Sequence, residues 1–205
     1  MDVAALYVLA KSSPYRLIEG VDLWPESRDA LLYRGPHPVV VHAPCGPHSR
    51  AVKHRTKMSL TQGPHLAPAA VLQVRKWGGV LEHPKRSLLW EKMSLPYPLA
   101  YGTSPMLAPR DTFGGFTIEL RQVDFGHLAE KRTWCYFVGV DPARIVLPMR
   151  REPAPAKRLS LRQRRSSEKA YPRCSMDLMS AEARKRSPEA FARWLVDLAR
   201  TARRP

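Results

Sequence analysis

A chain of 205 residues in which 34 Lys and Arg face 18 Asp and Glu, for a formal charge of +16, has room for one good core and a small appendage but not for two full domains. Such a field points to a polyanionic partner, because phosphate backbones are drawn to it at physiological salt. Three widely spaced cysteines argue against a disulfide framework or a zinc ribbon and fit a reducing cytoplasm, while 20 prolines imply fixed turns and modest helix content.

In chain order, residues 3–10 read as a first strand. The apolar start lacks the basic region and cleavage site of a signal peptide and is too short to span a bilayer, so no membrane partner is expected. Lys11 to Tyr15 follows as a loop without glycine. Gly20-Val21-Asp22 is a short apolar approach to an acid, and residues 25–33 have the pattern of about two helical turns with Pro25 near the start. Asp22 fits either a ribose contact or a turn cap.

Pro38 to Ser49 organises the chain. Val39-Val40-Val41, bounded by prolines, reads as a buried strand that ends in the rigid turn Pro44-Cys45-Gly46-Pro47. A thiol just past a buried strand lies where ligands bind in open α/β sheets, which makes Cys45 the candidate nucleophile; the bland alternative is a buried, inert thiol. A metal site built from His42, Cys45, His48 and His54 lacks standard zinc spacing, and none is expected. Arg50 to Lys57 forms a basic loop suited to phosphate or to solvent.

Leu66 to Trp77 has helical spacing and stops at Gly78-Gly79. Gly79 to Glu82 follows as another strand. Strand, helix and strand make a βαβ unit, whose parallel pairing brings Cys45 and Glu82 to one edge. Residues 91–114 read as a long loop, and residues 116–125 and 134–139 as an antiparallel pair joined through Gly126 to Arg132. A reversed last strand would carry Arg132 to the edge that holds Cys45 and Glu82.

Between Arg150 and Arg173 the composition turns strongly basic, as in a solvated segment or a phosphate-tracking arm. Ser187-Pro188-Glu189 then starts a helix with Phe191, Trp194, Leu195 and Leu198 on one face. The expected architecture is α/β: a Rossmann-like sheet, mostly parallel with a C-terminal antiparallel hairpin strand and helices on both faces. Its parts are a catalytic domain over 1–148, a basic linker or arm over 149–175, and a helical segment over 176–205 that packs back on the sheet.

These blocks resemble the DNA (cytosine-5) methyltransferases. Ala43-Pro-Cys-Gly-Pro-His-Ser49 is similar to the family's Pro-Cys-Gln-Pro-Phe-Ser loop and keeps Pro44, Cys45, Pro47 and Ser49. Glu82-His83-Pro84 looks like its Glu-Asn-Val or Glu-Asn-Pro block, and Gly126 to Gly139 like the segment where Gln-x-Arg-x-Arg runs into a strand ending Val-Gly. Together they cover about half the chain in the right order.

The resemblance implies that a cytosine is swung out of DNA and that Cys45 adds to its carbon 6, with Glu82 donating a proton and Arg132 supporting. It implies S-adenosylmethionine as cofactor, near Asp22 and Pro44, and DNA contacts from His48, Ser49, Arg50, Lys53, Arg55, Arg162, Arg164 and Arg165. His42, His48 and Arg132 would favour the thiolate. The chain departs from the family at several points. It has no Phe-x-Gly-x-Gly loop after the first strand, Trp134 and His83 replace an arginine and an asparagine, and no stretch is long enough for a target-recognition domain. A protein partner would then supply sequence recognition, and the reduced size suggests a phage or prophage enzyme in the cytoplasm of a prokaryotic host. Two alternatives stand beside this reading, a DNA-binding relative without catalysis and a metal-dependent hydrolase or nuclease.

Overall fold

The computed structural model describes residues 2–50, 63–153 and 186–204. Six strands form its frame: β1 (Val3–Val8), β2 (Val21–Pro25), β3 (Val39–Val41), β4 (Gly79–Pro84), β5 (Phe116–Arg121) and β6 (Arg132–Val138). They make one mixed sheet in the order β2-β1-β3-β4-β6-β5. β2, β1, β3 and β4 run parallel, and β6 lies antiparallel between β4 and β5. The protein is therefore α/β with a partly antiparallel sheet.

Both faces are apolar, as strands buried on two sides require. Ala4, Leu6, Val39, Val41, Leu81 and Tyr136 look one way, onto helix α1 (Leu66–Trp77), which buries Ala67, Ala70, Val71 and Val74 against them. Val3, Ala5, Val40, Val80, Cys135 and Phe137 look the other way, onto a second helix that buries Phe191, Leu195 and Leu198. That helix, Glu189–Arg200, is α3; between the two comes the single turn α2 (Leu89–Lys92). Full burial of each large side chain contributes about 1.5–3 kcal/mol, so the sheet is clamped from both sides.

The β3–β4 contact is unusually close. Gly79 has φ +115°, and a Cβ there would stand 2.0 Å from the Val39 carbonyl oxygen, so only glycine lets the two strands meet. Two expectations change. Residues 25–33 form two 3-10 turns, Glu26–Arg28 and Ala30–Leu32, broken at Asp29 with φ +46°. The strand expected over 116–125 ends at Arg121, and Gln122–Phe125 coil into a 3-10 turn closed by Gly126 at φ +97°. Among the described residues, no helix is long and apolar enough to cross a membrane.

Candidate functional site

Val41 pairs with Leu81, so the next residues, His42 and Glu82, emerge side by side at the carboxyl edge of β3 and β4. Alternation puts both on the face of Val40 and Val80. His42 Nδ1 stands 2.9 Å from Glu82 Oε2, and His42 Nε2 stands 2.6 Å from the Tyr15 hydroxyl. Glu82 Oε1 accepts from Gln122 Nε2 and from the Thr133 hydroxyl, each at 3.2 Å. Glu82 is only 9% exposed, and burial on its own would raise its pKa. The His42 bond and the charges of His42, Lys131 and His83 outweigh burial and bring it down to about 2. The carboxylate is thus ionised at neutral pH and has one acceptor position left, on Oε2.

Three residues past His42 the chain turns through Cys45, which is exposed, into a 3-10 turn over Gly46–His48. The turn is pinned from below. The His48 carbonyl accepts from the Leu88 N–H at 2.9 Å and the Ser87 hydroxyl at 3.3 Å, and the His48 ring bonds the Pro64 carbonyl at 3.2 Å. His83, on the opposite face of β4 from Glu82, is 1% exposed and packs between the His48 and Trp90 rings. Burial pushes its pKa down to about 4, so its ring is neutral near pH 7.

Arg132 does not join this group. In β6, Thr133, Cys135 and Phe137 face Glu82's side, so Arg132 and Trp134 face the other. Arg132 bonds Glu119 Oε1 at 3.2 Å and Glu130 Oε1 at 3.1 Å, and Glu119 also takes Lys85 at 2.8 Å and the Trp134 indole at 3.1 Å. The cation on the site's face is Lys131. Burial lowers its pKa, and the charges of Glu82 and Cys45 pull it back up, which places its ammonium within electrostatic reach of both.

The expected sources of thiolate stabilisation change as well. Both ring nitrogens of His42 are engaged by Tyr15 and Glu82, and the His48 ring is turned to Pro64, with burial lowering its pKa. Lys131, whose ammonium donates to the Arg186 carbonyl at 3.0 Å, is the cation whose charge acts on the Cys45 sulfur.

Asp22 lies far from this edge. It pairs with Ala4 near the start of β2, three rows back from Glu82 and on the opposite face, a separation of about 10 Å along the strands. Its carboxylate accepts from Trp24 Nε1 at 2.7 Å and Arg28 at 2.6 Å. At the carboxyl end of β1, where the family's glycine loop would cradle S-adenosylmethionine, stands Tyr7, with φ +57° and its hydroxyl bonded to Gln73 at 3.1 Å. A large side chain in that position and an engaged Asp22 do not fit the expected cradle. Pro44 is exposed beside Cys45.

Of the expected DNA contacts, Ser49 closes the 3-10 turn, its N–H bonding the Gly46 carbonyl at 3.2 Å. Arg50 is tied to the Arg86 carbonyl at 3.1 Å and ion-paired with Glu91. Lys53, His54, Arg55, Arg162, Arg164 and Arg165 lie outside the described residues. Tyr15, Gln122, Lys131 and Thr133 are site residues that the sequence reading missed. Strand alternation counted from Cys135 would have found Thr133; Lys131, which precedes β6 with φ +32°, and Tyr15, in a 3-10 turn, carry no such signal. No protein-family model, curated protein or solved structure matches this chain.

Proposed function

We propose that this protein is a cytosine-directed DNA-modifying enzyme in which the Cys45 thiolate adds to carbon 6 of an extruded base. The observation that carries the reading is the meeting of Cys45, Glu82 and Lys131 at one sheet edge, from the ends of β3 and β4 and the start of β6. The reading is further supported by an α/β sheet whose strands β2, β1, β3 and β4 run parallel beside a reversed β6, and by a charge of +16 that suits a phosphate backbone.

The chemistry follows from the groups present. Lys131 stabilises the sulfur anion until it bonds to carbon 6. The ring electrons shift so that nitrogen 3 gains a proton and carbon 5 becomes the nucleophilic enamine carbon. Glu82, ionised and with its one free acceptor position on Oε2, meets the base at nitrogen 3 and orients the ring there. Because the residues near β1 and β2 do not fit the expected S-adenosylmethionine cradle, no step is assigned to that cofactor.

A Cys-His-Glu hydrolase fits less well, since His42 has no nitrogen left for the thiol. The metal reading loses His42 to Tyr15 and Glu82, and His48 to Pro64. The misfit near Tyr7 and Asp22 favours one second reading, a DNA-binding relative without catalysis.

Nucleoside mass spectrometry of DNA from cells expressing the protein separates the two readings. A new cytosine derivative that disappears in Cys45→Ala supports the enzyme. No new nucleoside at good expression, with DNA affinity intact in Cys45→Ala, supports the binding protein.

A further inference from the structure

Addition of sulfur to carbon 6 requires a proton at nitrogen 3, and the Glu82 carboxyl at the end of β4 is ionised at neutral pH. A proton source must therefore stand behind Glu82. We infer that His42 is that source, and that Tyr15 positions it: the chain Tyr15 hydroxyl, His42 ring, Glu82 carboxylate is a proton relay leading to the Cys45 edge. This inference rests on the proposed cysteine addition.

The geometry is continuous. His42 Nε2 lies 2.6 Å from the Tyr15 oxygen and Nδ1 lies 2.9 Å from Glu82 Oε2. Neither hydrogen bond involves solvent, and Tyr15 is 2% exposed. A hydroxyl both donates and accepts, so by rotating it stays bonded to Nε2 whether that nitrogen carries a proton or not. Tyr15 is not itself the acid. Burial, followed by the nearby charges of Glu82 and Cys135, raises its pKa well above the ordinary value, so it keeps its proton.

The groups that face His42 come from every element around it. Tyr15 comes from the β1–β2 connection, Glu82 from β4, Thr133 and Cys135 from β6, and Lys131 from the residue before β6, while His83 acts only through its charge from the opposite face of β4. Burial raises the Cys135 thiol and lowers the His83 ring, which leaves both neutral near pH 7. The charges that matter to the relay are therefore those of Glu82 and Lys131.

The step balances as follows. The Cys45 thiolate forms the S–C6 bond while the C5=C6 pair becomes C4=C5 and the former C4=N3 pair takes a proton at N3. That proton passes from Nδ1 of the protonated His42 ring to the Glu82 carboxylate at Oε2 and on to N3; the His42 ring ends neutral, its Nε2–H still bonded to the Tyr15 oxygen, and Glu82 ends ionised as it began. Elimination of the thiolate reverses every transfer.

Release of tritium from duplex DNA labelled at cytosine carbon 5 reads this addition without any cofactor, because the enamine exchanges its C5 hydrogen with water before sulfur leaves. The full-length protein should release tritium and Cys45→Ala should not. The rate should descend at high pH as the relay loses its proton. In His42→Gln, where Glu82 stands alone, the rate near pH 7 should fall about 100-fold and the descending limb should move to lower pH. Tyr15→Phe, which keeps the ring and its packing, should move the same limb down by a smaller amount.

Carbon-13 NMR of the Glu82 carboxyl provides a readout apart from activity: its titration near pH 2 should rise toward the ordinary carboxylate range in His42→Gln. Variants with the wild-type pH profile, or a Glu82 titration that does not move, overturn the relay while the cysteine addition stands. No tritium release from the unaltered protein at any pH overturns the cysteine addition, and the relay with it.

Discussion

Lys131 and Arg132 are neighbours in sequence and face opposite sides of the sheet. Lys131 shares its side with Glu82 and Thr133, while Arg132 is held by Glu119 and Glu130 on the other. The two residues should therefore differ sharply in their effect on the thiol. Lys131→Met should slow alkylation of Cys45 by iodoacetamide at pH 7 several-fold, since it removes the cation whose charge reaches the sulfur. Arg132→Ala should change that rate less than twofold. Peptide mapping separates the label on Cys45 from any on Cys174 or on Cys135, which is fully buried.

That one-residue offset shows how much the sequence could tell. The valines of β3, the helical spacing of α1 and the Gly78-Gly79 stop made the βαβ unit legible, and with it the convergence of Cys45 and Glu82 on one edge. Motif order then drew attention to an arginine, whereas the cation whose charge reaches Glu82 and Cys45 is the lysine before it, in the turn that leads into β6. Asp22 looked like an acid at a strand end, yet β2 begins one residue earlier and carries on to Pro25. Tyr15 and Gln122 come from 3-10 turns, which have no sequence period to betray them.

Gly79 is predicted to be the least replaceable residue behind the site. Gly79→Ala must place a Cβ 2.0 Å from the Val39 oxygen at φ +115°, so either the backbone flips or β3 and β4 separate. We expect a loss of about 3 kcal/mol, read from the urea midpoint. Gly102, whose Cβ would meet nothing within 4 Å, is the control, with only the strain of φ +86° to cost it stability.

Two buried groups predict a two-stage loss of stability on acidification. The folded pKa of His83 is depressed to about 4 from 6.5, so the unfolded chain takes up this proton first. Its contribution is full above about pH 6.5 and is lost as pH falls through 4, a total of about 3 kcal/mol. Glu82, depressed to about 2 from 4.5, contributes above about pH 4.5 and loses that contribution toward pH 2, again about 3 kcal/mol. Urea midpoints measured from pH 7 to pH 2.5 should fall through both windows. His83→Leu should flatten the upper window alone, and Glu82→Gln the lower one alone; a slope unchanged in either variant would show that the group is not the cause.

The last prediction concerns DNA. Arg50 is the one arginine among the expected DNA contacts that the structure describes, but its guanidinium is already held by Glu91 and the Arg86 carbonyl. A phosphate would have to displace a carboxylate to reach it. Arg50→Ala should therefore reduce the slope of log affinity against log salt by much less than the roughly 0.9 of a full phosphate contact. Glu91→Gln, which releases the guanidinium, should tighten binding and steepen the slope. Fluorescence anisotropy on a labelled duplex between 50 and 200 mM salt measures both. A full-contact loss in Arg50→Ala together with no gain in Glu91→Gln would mean that Arg50 leaves Glu91 for the phosphate without cost, and that the ion pair does not restrain it.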